Sequence, residues 1–166
     1  MRLCLHKIMN IYCTTDQHVE VPYDNLVNVS LDNLNLHRAE LENTDLSNSS
    51  FVNSNLRGAF LYNANLRGCN LQRTNLITAD LREANLATAN LEGCLANSTL
   101  FAKANLERAN LAGANIDSAD FQGSILKGTV MKCIGIENAI LKNAIFDNNT
   151  VWPDNFDPIE KGAISL

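Results

Sequence analysis

Histidine is scarce in this chain, with only His6, His18 and His37 among 166 residues, and none of them stands in a nucleophile motif. A glycine-rich phosphate loop is missing, and so is any recognised metal signature. The acids are dispersed without a paired cluster. These absences argue against a catalytic centre, so neither an enzyme nor a bound cofactor is expected. No stretch of about 18 apolar residues occurs, and no membrane span is expected. The formal net charge of −5 lacks the basic excess that nonspecific nucleic-acid binding requires. Aromatic residues make up only 6% of a chain that is 46% hydrophobic, which suits a narrow core with little room for rings. Five cysteines cannot all pair, and they read as free thiols of a reducing compartment. A cytoplasmic location is therefore expected.

What the chain does have is a period of five. From Leu26 to Val151 every fifth residue is apolar, an unbroken frame of 26 positions, 17 of them Leu. On an α-helix this step would carry the leucines round every face. On a flat strand an odd step reverses the side chain each time. All 26 positions point inward only if the chain bends after each step. Four bends of about a right angle close a square coil of 20 residues, and coils then stack about 4.8 Å apart.

The other positions agree with this geometry. Two residues before the large apolar one, 21 of 26 positions hold Ala, Ser, Thr or Cys, so a small inward residue precedes each large one. The residue between them should face outward, and in 14 of 26 cases it is Asn or Asp. Asparagines that recur every 20 residues, as at Asn35, Asn55 and Asn75, can form an amide ladder. Two residues after the centre, six of the eight glycines and nine asparagines gather, as the positive φ of a type II turn demands. Two independent patterns thus point to the same architecture.

The repeats read ANLRG at 64–68, ADLRE at 79–83, ANLAT at 84–88, ANLER at 104–108 and ANLAG at 109–113. They resemble the pentapeptide repeat family, in its cyanobacterial type. The resemblance implies an all-β fold, a right-handed quadrilateral β-helix of about six 20-residue coils capped at both ends. Three segments follow: an N-terminal cap or flexible piece at 1–23, the β-helix at 24–151 and a capping tail at 152–166.

The N-terminal segment shows no secretory h-region or cleavage pattern, and Met9 is a second candidate start. Cys4, His6, Cys13 and His18 could supply metal ligands, but their spacing matches no established zinc pattern, and incidental occurrence is the expectation. Residues 19–23, VEVPY, alternate and are expected to pair with the first coil. Val29 and Leu34 fill small slots and should expand that coil. Ala96 is the one small centre, so either the backbone shifts to bring a leucine in or a cavity lies beneath it. Trp152 and Phe156 are placed to cover the last layer. Ile125, Val130, Ile140 and Ile145 replace Asn or Asp outward on the last coil, where the tail is expected to pack against them. Another subunit is the alternative, a possible homodimer.

The function expected is a non-enzymatic interaction scaffold or regulator whose flat faces meet a protein partner. Arg57, Arg67 and Arg73 lie in a stretch without acids, Arg82 follows, and Phe60, Tyr62 and Leu100 offer apolar surface. These seven are the candidate contacts. The resemblance also implies an alternative, a DNA mimic binding DNA gyrase as quinolone-resistance relatives do. That reading needs strongly negative faces, which the dispersed acids do not supply.

Overall fold

The computed structural model describes residues 8–14 and 17–166. From Leu26 to Leu141 all 24 centres are buried, most of them completely. Each such leucine contributes roughly 1.5–3 kcal/mol by leaving water. The small residues at the slot positions, from Ala59 through Ala119, are equally buried.

The sides of the regular stretch follow one hydrogen-bond plan. At the corner, the centre carbonyl accepts from the N–H three residues on, as Leu56 does from Ala59 at 3.0 Å. Residue two after the centre has φ between 54° and 69° in every regular corner from Asn28 to Gly128. Between coils, the Leu56 N–H donates to the Asn75 carbonyl at 2.8 Å, and the Asn75 N–H donates back to the Ser54 carbonyl at 2.9 Å. Polar backbone groups of a narrow rod are thereby satisfied internally, as burial requires. Outward residues pair in parallel with the residue 20 further on, giving four columns. In chain order the first face runs Asp45–Asn65–Asn85–Asn105–Ile125–Ile145 and the second Ser50–Asn70–Asn90–Asn110–Val130. The third runs Asn35–Asn55–Asn75–Leu95–Asn115–Ile134 and the fourth Glu40–Phe60–Asp80–Leu100–Asp120–Ile140.

At most slots that hold a hydroxyl, it donates to the centre carbonyl one coil below, as from Thr74 to Phe51 at 2.7 Å and from Thr99 to Leu76 at 2.8 Å. In the first coil this device does more. Val29 and Leu34 are too large for the slot, and their N–H groups do not close the turn. They donate at 3.0 Å to the Ser49 and Ser54 hydroxyls, which in turn donate to the Leu26 and Leu31 carbonyls. The expected expansion is thus an opened corner bridged by a serine. At Ala96 the backbone keeps its register, with its N–H 2.7 Å from the Asn115 carbonyl. Leu95 stays outward and 44% exposed, while the next inward residue, Phe101, is fully buried and stacks on Phe121 at 4.8 Å. No leucine is brought in; the bulkier ring lies in the same coil.

The ends depart from the expectation. Residues 19–21 do not pair with the first coil. They belong to β2 (Gln17–Val21), which forms an antiparallel hairpin with β1 (Met9–Cys13). It is β1 that meets the coil, with the Glu40 N–H donating to the Tyr12 carbonyl at 2.8 Å. Alternation then turns Ile11, Cys13 and Val21 onto the core as a plug. Cys4 and His6 lie outside the described residues, and no metal-binding cluster occurs among the described residues.

At the other end the frame slips twice. A tight turn places the Cys133 N–H 2.8 Å from the Met131 carbonyl, so Ile134 rather than Gly135 pairs with Asn115, and the coil is one residue short. Gly135 stands where a centre would be, and Ile136, in the short 3₁₀ turn Ile136–Asn138, supplies the buried side chain. Past Phe146 the corner gains a residue. Thr150 takes the small slot and donates to the Leu126 carbonyl at 2.8 Å, so Val151 falls in the outward column and is 41% exposed. Val151 is therefore not inward, and Trp152 follows it as the covering residue. Trp152 meets Phe146 edge-on and lies beside Phe156, both at 5.5 Å. The tail does not pack outside the last coil. Its strand β4 (Ile164–Ser165) pairs in parallel with β3 (Ile145–Phe146) as one further rung on the first face.

Candidate functional site

A rod with one hydrogen-bond plan carries individuality only on its columns and corners. On three faces the outward column is built largely of Asn, and the fold explains it. The Asn75 side-chain carbonyl accepts from the Ile77 N–H at 3.1 Å, and the Asn55 amide donates to Asn35 at 2.9 Å. Such residues satisfy the corner and carry no functional signal.

The fourth face follows another rule, for its column contains no Asn at all. Acids alternate with Phe60, Leu100 and Ile140. Asp80 and Asp120 keep the corner role, accepting from the Arg82 N–H at 3.2 Å and the Gln122 N–H at 2.8 Å. Arg82 also grips Asp80 through two side-chain bonds of 2.8 and 2.6 Å. That contact holds the Asp80 carboxyl below the usual range and raises the guanidinium. Beside it the Tyr62 hydroxyl donates to Glu83 at 2.8 Å, and Lys103 donates to the other Glu83 oxygen at 3.3 Å. The Tyr62 bond leads in lowering Glu83, and the same bond raises the phenol.

The expected contact residues divide accordingly. Phe60 and Leu100 lie on the fourth column, two coils apart with Asp80 between them. Tyr62 and Arg82 stand on the corner beside it, and Arg57 on the corner before it. Arg67 and Arg73 occupy the two remaining corners, so the arginines form a belt rather than one patch. The Arg73 guanidinium donates to Asn53 at 3.0 Å. The spacing of 20 that brings Phe60 and Leu100 together also places Glu40, Asp120 and Ile140 on that column. That arithmetic is the signal by which the sequence could have assigned them to the site.

A cleft of about 420 Å³ beside the hairpin is lined by Cys13, His18 and Glu40, among others. Burial, and then the charge of Glu40, raises the Cys13 thiol, the opposite of what an activated nucleophile needs. Cys69, Cys94 and Cys133 are pushed up to about 12 by burial. These are packing thiols.

The sequence matches the family models for the pentapeptide repeat region over residues 44–121 and for pentapeptide repeats over residues 25–61. The chain belongs to the pentapeptide repeat family, and its fold is the right-handed quadrilateral β-helix. It is similar to HetL, a pentapeptide repeat protein involved in heterocyst differentiation regulation from the cyanobacterium Nostoc, at 30% identity and a TM-score of 0.65. That match covers 74% of this chain and 53% of HetL, so the chain spans about half of HetL's length. Another Nostoc pentapeptide repeat protein matches at 30% identity over 64% of this chain and 84% of its own, with a TM-score of 0.41. Full-length QnrB1, a plasmid-mediated fluoroquinolone resistance protein, matches at 18% identity over 84% of this chain and 92% of its own, with a TM-score of 0.38. Likeness at that level concerns the fold alone. A search of curated proteins returned no significant match.

Proposed function

We propose that the chain is a non-enzymatic scaffold or regulator that holds a protein partner against one rigid face, acting in the cytoplasm, where its unpaired thiols are suited. The observation that carries this reading is the fourth face, which forgoes the Asn column and sets half-buried Phe60 and Leu100 and exposed Ile140 between carboxylates. A rigid surface of this kind loses little entropy on binding, which favours recognition. The likeness to HetL, which is involved in heterocyst differentiation regulation, supports the same direction. Capture of partners from the native host by the whole protein tests it. A partner retained by wild type and lost when Phe60 and Leu100 are both changed to Asn is the expected result. Equal retention by the double variant would remove the fourth face from the reading.

The gyrase alternative ranks below this one. A DNA mimic needs continuous negative faces, whereas here acids alternate with apolar residues on one face and give way to Asn on the rest. Inhibition of supercoiling at micromolar protein would reverse the order.

We also infer self-association through the C-terminal end. Ile134, Ile140, Val151, Ile164 and Leu166 are 62%, 49%, 41%, 46% and 68% exposed around that end. Ile125, Val130 and Ile145 are half-buried and contribute less. A second copy meeting this end would cover Ile134, Val151, Ile164 and Leu166 and leave Ile140 to the fourth face. Light scattering on the purified protein should then give twice the monomer mass, and Ile134→Lys should return it to the monomer.

A further inference from the structure

We propose that the fourth face docks an amphipathic α-helix laid along the rod, with apolar residues every seven positions and Lys or Arg on the turns between. This rests on the scaffold reading above and names the partner's chemistry.

The spacing supports it first. Phe60, Leu100 and Ile140 are each two coils apart, about 9.6 Å at the usual strand separation. Seven residues of α-helix rise about 10.5 Å. The mismatch is about 1 Å per step, which side-chain rotation absorbs over three contacts. The width agrees as well. Three extended residues make a side of about 10 Å, and a helix with its side chains is about 10–12 Å across.

Charge complementarity adds direction. Asp80 is already neutralised by Arg82, and Glu83 is held by Lys103. Among the described residues, Asp117, Asp120 and Glu137 take part in no ion pair. Asp120 lies between Leu100 and Ile140 on the column, and Asp117 and Glu137 stand on the adjoining corner. A basic residue midway between the second and third apolar anchors would therefore meet Asp120 first, with Asp117, which accepts from Asn138 at 2.6 Å, and Glu137, whose backbone carbonyl accepts from Lys161 at 2.6 Å, at its edge. A cation between the first and second would meet an acid already occupied. The helix thus has a defined register, with its strongest charge toward the C-terminal half of the strip.

The probe is a synthetic helical peptide of about three heptads, Leu at the repeating position and Lys midway between. A scrambled peptide of the same composition is the control. Binding to the full chain is read by fluorescence anisotropy at low and moderate salt. Wild type should bind the ordered peptide at least about tenfold more tightly than the scrambled one. Leu100→Asn should weaken binding about tenfold, because it removes the central anchor. It installs the residue that other columns carry, so its melting temperature should match wild type. Asp120→Asn should weaken binding about threefold and flatten the salt dependence. Leu95→Asn, on the third face, should change nothing.

Equal binding of both peptides overturns the proposal. So does unchanged affinity in a Leu100→Asn protein that melts like wild type. A host partner captured equally by wild type and Leu100→Asn would also overturn this strip, while leaving a scaffold that uses another face.

Discussion

Between Ser54 and Leu126 every rung is 20 residues long, whereas toward the other end irregular rungs of 19, 21 and 19 residues appear. The two regions share the same handed coil and nearly the same core, yet only one keeps its count. The difference lies in the corner. In the regular stretch the centre carbonyl always finds an N–H three residues on, and the small slot fits against the coil below. After Met131 the turn closes two residues on, and after Phe146 it closes late around Asp147, whose carboxylate accepts from the Gly128 N–H at 2.8 Å. Register in this fold is therefore set corner by corner, and a slip at one side is corrected at another.

Opening the core in each region tests this difference most severely. Leu86→Ala should cost about 2–5 kcal/mol in urea unfolding, because the site is sealed between coils. Phe146→Ala, at a half-buried site under the aromatic cap, should cost distinctly less. Equal losses would mean that the end is as tightly built as the middle.

Glycines sharpen the contrast next. Gly135 has φ +80°, and an added Cβ would stand 2.8 Å from the Asp117 Cα, so Gly135→Ala must move backbone. A loss of about 2–3 kcal/mol is expected from the clash together with the strained φ. Gly113 has φ +66° and nothing within 4 Å of the added carbon. There the loss should be about 1 kcal/mol, the left-handed penalty alone. Similar melting temperatures for the two variants would contradict the crowded corner.

A smaller effect, of opposite sign, is expected at Ser124. Its hydroxyl is buried without a hydrogen-bond partner, unlike that of Thr129 in the next slot, which donates to the Leu106 carbonyl at 2.7 Å. Ser124→Ala should raise stability by up to about 1 kcal/mol, while Thr129→Val should lower it by about as much. Stabilisation by both would show that slot hydroxyls do not anchor the stack.

The smallest effect concerns pH. The folded values of Asp80 and Glu83 lie below their ordinary ones, so their contribution is present above about pH 4–4.5 and fades as pH falls through the lowered values. Melting followed from pH 6 to pH 3 should fall less steeply in Asp80→Asn than in wild type. Parallel curves would mean that the Arg82 contact is too well screened to matter.

Much of this was legible beforehand, and the reason is physical. A narrow core admits one large residue per side, so the period of five reads the interior directly. The slip at Val151 was hidden because valine suits either register. Its trace was nevertheless present: Thr150, Val151 and Trp152 repeat the small, outward, large rhythm one residue late. Cys133, Ile134 and Gly135 repeat the same rhythm one residue early, with glycine where the large residue belongs. The hairpin could not be read as a hairpin, since VEVPY alternates equally well against a coil or against Met9–Cys13. At the candidate site, Phe60 and Leu100 were apparent as apolar exceptions, whereas Asp120 looked like one more Asn-type position until the columns were traced.

Because each face is a fixed residue of the count of twenty, length changes in this chain act as rotations. Removing one whole coil from the regular stretch would shorten the rod by about 4.8 Å and leave every later side chain facing its old direction. Removing a single repeat would preserve the core equally well and yet turn everything beyond it through a quarter circle. Leu100 would then follow a different edge from Phe60, with no cost in leucine burial to betray it. Within such a fold, stability and surface composition are separable under insertion and deletion, and the interaction strip is the part exposed to that risk.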